Sequence, residues 1–141
     1  MARLNWNRVL LGGLLAGAII NAVEITYHTL LLGSRWWFFR ALADPTANAS
    51  AVLLYIGRYT LVGVAAVWLY AVARPRFGPG PKTALGIAAA FWVIGYVLPV
   101  WGFYFLIQEE YRTHMWRLPG LVALVEVVVG TLGGAWLYRE P

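Results

Sequence analysis

The sequence predicts an all-α polytopic membrane protein: a bundle of four transmembrane helices with an interfacial aromatic helix between spans one and two. Three observations carry that prediction. The chain is 61% hydrophobic and only 12% charged, far from the balance of a water-soluble domain. Its apolar residues gather in runs of about 20 residues or more, long enough for a helix to cross a hydrocarbon layer. Eight Trp and eight Tyr are many for 141 residues, and such rings settle at water–lipid boundaries.

The length suits one domain, residues 1–141. Cysteine is absent, which excludes disulfides, thiolate metal sites and thiol nucleophiles. The net charge of +5 invites a nucleic-acid reading, which we reject. The cations are dispersed at the ends of apolar runs, where they set orientation and meet the headgroups of membrane lipids.

Met1–Arg8 is a short polar lead with Arg3 and Arg8. A basic start before an apolar run has the outline of a signal peptide, with Ala16-Gly17-Ala18 as its cleavage site. The apolar run continues to Leu32, however, about 24 residues or roughly 36 Å of helix, and is read as a retained first span. Within this span, 9–32, Gly13, Gly17, Asn21, Glu24 and His28 fall on one helical face. An acid there costs about 2.5–3.5 kcal/mol on insertion scales.

Ser34-Arg35-Trp36-Trp37-Phe38-Phe39-Arg40 is too short to cross. It predicts a helix lying in the interface, rings in the lipid and arginines at the headgroups. Asp44-Pro45-Thr46 breaks it. The second span, 51–72, contains Arg58. Residues 73–83, with prolines, glycines, Arg74, Arg76 and Lys82, predict a non-helical cytoplasmic hairpin.

The third span, 84–107, contains Tyr96 and a kink expected at Pro99. Residues 108–118 form a polar link with His114, and the fourth span, 119–138, contains Glu126. Arg3, Arg8, Arg74, Arg76, Lys82 and Arg139 fall on one side of four spans; Arg35, Arg40, Arg112 and Arg117 fall on the other. This bias places both termini in the cytoplasm.

Trp68-Leu69-Tyr70 closes span two and Trp136-Leu137-Tyr138 closes span four. Aligning the triplets sets Arg58 opposite Glu126. The 74–83 hairpin with Trp68-Leu-Tyr70 before it, Asn21 and Glu24 in span one, and Gly134-Ala-Trp-Leu-Tyr138 in span four resemble a family of small uncharacterised bacterial four-span membrane proteins. The resemblance covers most of the chain and implies a bacterial membrane protein. It supplies no activity, and it does not extend to residues 34–40 or His28.

Depth brings the ionisable residues together. Glu24, Arg58 and Glu126 each lie roughly 10–12 Å below the outer boundary at 1.5 Å per residue. Tyr96 reaches nearly that level, and His28 lies one turn above Glu24. The pairs Gly13/Gly17 and Gly130/Gly134 predict that spans one and four close through their glycine faces, acids together and Arg58 aimed at the same spot.

Two carboxylates and one guanidinium leave a charge of minus one. Arg58 is expected to pair with one acid in a bidentate fork. The second acid must then share a proton, meet protonated His28, or bind a cation.

Three functions follow. One is binding or transport of a proton or a small cationic or amphipathic ligand, with Glu24, Arg58, Glu126, His28, Asn21 and Tyr96 as site residues and a homodimer as the expected assembly. A second is an accessory or scaffold subunit of a larger membrane complex, its ion pairs structural. A third is a membrane enzyme using Glu24, His28 and Glu126 as metal ligands or as acid and base. The weight of the sequence lies against an enzyme, and no cofactor is expected.

Overall fold

A computed structural model describes residues 4–103 and 118–139 of the chain. Helix α1 spans Trp6–Leu32. A 3₁₀ turn, Gly33–Arg35, and a short helix α2, Trp37–Ala43, lead into α3, Pro45–Phe77. Helix α4, Pro81–Trp92, passes through a π-helical turn, Val93–Val97, into α5, Leu98–Phe103. The last helix, α6, is Leu118–Leu137. Among the described residues, four stretches are long and apolar enough to cross a membrane: Trp6–Leu32, Asn48–Phe77, Pro81–Gly102 and Leu118–Leu137. The chain is thus an all-α protein with the build of a membrane protein.

α1 is the hub, packed along α3 on one side and α6 on the other, while α4 closes the bundle against α6 and α3. Leucines at 10, 11, 14, 53, 54, 61 and 121 stay on the outside. That is the arrangement lipid permits, because apolar surface gains nothing by leaving one hydrocarbon for another. What holds the helices together is close approach. The main apolar core joins Val9, Ala16, Val67, Tyr70, Ala84 and Ala135, at the end of the bundle near the chain termini. Tyr70 and Tyr138, the last residues of the repeated triplets, meet there edge to face with centroids 6.2 Å apart.

α1 carries two adjacent stripes of small residues. Gly13 and Gly17 face α3: a Cβ on Gly13 would stand 2.6 Å from the Val64 Cα, and one on Gly17 2.6 Å from the Thr60 Cα. Gly12 and Ala16 face α6, where Gly134 and Gly130 approach them. Spans one and four do close through small residues, but Gly13 and Gly17 serve α3, which supplies Gly63. Positions 12 and 13 differ by 100° around a helix, so neighbouring glycines feed different interfaces.

Two predicted segments change their bounds. The hairpin 73–83 shrinks to Gly78-Pro79-Gly80, since α3 runs through Pro75 to Phe77 and α4 starts at Pro81. Pro81 takes the first helical position, where a missing N–H costs nothing. Gly78 and Gly80 adopt φ of 86° and 115°, which other residues reach only with strain. The aromatic helix is 37–43 rather than 34–40.

The irregularity expected at Pro99 takes the form of the π-turn. Pro99 offers no N–H and its ring would crowd the carbonyl four residues back. The widened turn relieves this, with the Leu98 N–H bonded to Val93 O five residues back. Residues 104–117, which carry the predicted link, His114 and the end of span three, lie outside the described residues.

Candidate functional site

The polar residues gather at the opposite end of the bundle, beneath the 33–44 connection. Glu24 sits between the two stripes of α1. It follows Ile20 by four residues on the α6 side and Asn21 by three on the α3 side. It can therefore meet both neighbouring helices. From α3, the Tyr59 hydroxyl donates a short hydrogen bond to Glu24 Oε1. From α6, Glu126 reaches the same place, its carboxyl interacting with Glu24 and with the Arg58 guanidinium. Antiparallel packing explains the meeting: Gly12 opposes Gly134, Ile20 opposes Gly130, and one further turn brings Glu24 to Glu126.

Glu126 is 5% exposed, and its Oε2 has no hydrogen-bond partner. Tyr55 stands one turn from Tyr59 with ring centroids 5.3 Å apart. Its buried hydroxyl lies near Tyr59 and Glu24 without a well-formed bond to either. Tyr27 and Tyr96 lie within electrostatic reach of Glu24. Tyr96 also packs on α6, where a Cβ at Gly120 would stand 3.1 Å from its ring.

Arg58 departs from expectation. No direct ion pair joins it to a carboxylate among the described residues. Its Nη2 donates to the Tyr59 hydroxyl at 2.5 Å, and its guanidinium carbon lies 4.4 Å from the centre of that ring. The residue is exposed on the outer face of α3. The predicted fork is replaced by a relay in which a phenol stands between guanidinium and carboxylate. Position 58 turns outward while 55 and 59, one turn apart, turn inward.

His28 lies one turn above Glu24, as the spacing required. Its Nδ1 is 3.1 Å from the Glu24 carbonyl and 3.5 Å from Glu24 Oε1. Trp36 stacks on the imidazole at 5.0 Å and 16°. Trp36 and Phe38 are 3% and 4% exposed, whereas Trp37 and Phe39 face outward. Only half of the aromatic segment therefore faces outward. The rest roofs the polar cluster, because a short helix lying on the bundle must bury one face.

Asn21 belongs to the α1–α3 contact. Its Nδ2 donates to Gly17 O at 2.9 Å, Ile56 O at 3.2 Å and Thr60 Oγ1 at 3.3 Å. Asn21→Ala is expected to cost about 1–2 kcal/mol, read as a lower midpoint in detergent unfolding. An unchanged midpoint would show that these bonds are replaced by others.

Glu24, His28 and Glu126, the weak metal candidates, do not gather as a ligand set; no group of three such side chains does so among the described residues. Tyr59 and Trp36 are the contributors that the predicted site leaves out. The signal for Tyr59 is local: Tyr55, Arg58 and Tyr59 recur at helical spacing beside the depth of Glu24. Nothing in the sequence marks Trp36 apart from Trp37.

No family model matches the chain, and neither the curated proteins nor the solved structures show a significant match.

Proposed function

We propose that this protein binds a proton or a small cationic ligand at the Glu24–Glu126 pair and transports it, as a bacterial inner-membrane protein with both termini in the cytoplasm. The observation that carries this reading is the second carboxyl. Glu126 is buried at membrane depth beside Glu24, one of its oxygens has no hydrogen-bond partner among the described residues, and the Arg58 guanidinium is engaged with Tyr59. Two carboxyl groups against one cation leave excess negative charge in an apolar layer, and a proton or cation balances it. Tyr59 and His28 both close directly on the Glu24 carboxyl. That favours a small occupant over a bulky amphipath.

The test is proton flux in proteoliposomes holding a pH-sensitive dye under an imposed pH gradient. Wild type is expected to collapse the gradient faster than protein-free vesicles. Glu24→Gln and Glu126→Gln should each fall to the protein-free rate, with tetramethylammonium and sodium gradients as the cation arms. Unchanged flux in both variants, or no wild-type flux of any of these ions, would sink the reading.

One observation favours a second reading, an accessory subunit of a membrane complex. Arg58 is exposed on α3 at membrane depth, beside Gly57, whose Cβ position is open. An acidic partner helix would account for such a face. Native mass spectrometry from mild detergent distinguishes them: a reproducible heteromer supports the subunit, a homomer that captures nothing counts against it.

A further inference from the structure

The α3–α4 turn lies at the other end of the molecule and plays no part in the acidic cluster. Between the two helices is a cavity of about 410 Å³ lined by Ala73, Phe77, Lys82, Thr83, Gly86 and Ile87. We infer that this cavity is a binding site for an anionic phospholipid, with acyl chain between the helices and phosphate at Lys82 and Arg76.

Four features point to that occupant. The walls are apolar, from Ala73, Phe77 and Ile87, and Lys82 lines the same cavity. Arg76, in the last turn of α3, and Lys82, in the first turn of α4, are both exposed, and residues 73–87 contain no acid. This gradient from methyl to ammonium matches a phospholipid and rejects a cation. Second, the first-turn amides of Lys82 and Thr83 have no carbonyl within the helix to bond, and they face the same end.

Third, the turn is braced. The Gly80 N–H donates to the Tyr70 hydroxyl at 3.0 Å, and the Thr83 hydroxyl donates to Gly78 O at 2.7 Å. The mouth is therefore held in shape by bonds that leave Lys82 uncommitted to them. Fourth, Gly86 lines the cavity and a Cβ there would meet nothing within 4 Å, so a larger side chain at this position would enter open space. Phe77, 72% exposed at the rim, is a large ring that a bound chain would cover. Basic pockets between helices at a membrane surface take lipid headgroups by this chemistry.

The test is native mass spectrometry of the delipidated protein in mild detergent, titrated with phosphatidylglycerol or phosphatidylcholine. Phosphatidylglycerol is expected to bind preferentially. Each cation near the surface is worth about fivefold, so Arg76→Gln with Lys82→Gln should weaken binding by roughly 25-fold. Gly86→Leu fills the cavity without altering charge and should weaken binding about tenfold or more. Its unfolding midpoint serves as the control for the charge variant.

Equal binding of both lipids would overturn the inference. So would wild-type affinity in Gly86→Leu, which would mean charge at an open surface. Competition by inorganic phosphate at millimolar concentration would do the same, by identifying a simple anion site.

Discussion

Gly63→Ala is expected to push α1 away from α3 and to cost about 3 kcal/mol, the upper end of the overpacking range. A Cβ at position 63 would stand 2.2 Å from the Gly17 nitrogen and 2.7 Å from the Gly13 carbonyl oxygen. Both are backbone atoms, so no rotamer change makes room and the whole helix must shift. The bundle resists, because in lipid its helices are held by contact rather than by the exclusion of water. Gly57→Ala in the same helix is the control: nothing lies within 4 Å of its Cβ position, and alanine is the better helix former. Unfolding in mixed micelles should show a large loss for Gly63→Ala and none for Gly57→Ala. Equal midpoints would mean that α1 and α3 do not touch at these glycines.

Tyr59→Phe is the second large effect, expected at about 1.5–3 kcal/mol, as for a lost hydrogen bond to a charged group. The phenol donates to Glu24 and accepts from Arg58, so phenylalanine keeps the packing and severs both links. A double-mutant cycle with Glu24→Leu should return a coupling of about 1 kcal/mol or more. Arg58→Gln should cost less in Tyr59→Phe than in the wild type, because the guanidinium is linked to Glu24 through that hydroxyl. Additive costs across both cycles would show that the relay does not exist. In the flux assay Tyr59→Phe should lie between the wild type and Glu24→Gln.

Much of this molecule is legible in its sequence. Four long apolar runs in a weakly charged chain leave little choice but helices that satisfy their own backbone inside a bilayer. Counting residues from the run ends put Glu24 and Glu126 at one depth, and the antiparallel helices bring them together there. The spacing of Glu24 and His28 was sufficient to place the imidazole over the acid.

Tertiary structure decided what those side chains do. Depth sets a level but says nothing about rotation, and Arg58 turned outward while Tyr59 turned in. The glycine pairs announced close packing, yet a Gly-x-x-x-Gly spacing does not name its partner, and Gly13 and Gly17 went to α3. Trp36 and Trp37 are identical as letters; one roofs the site and the other faces outward, according to how the chain enters the short helix that lies on the bundle. Proline and glycine between Ala73 and Thr83 looked like a long break. The helices took all but three of those residues, because proline is tolerated near a helix end and at its first position. Hydropathy and length act along one chain and can be read from it. Facing and partner choice depend on two surfaces fitting at once, and only the assembled bundle contains both.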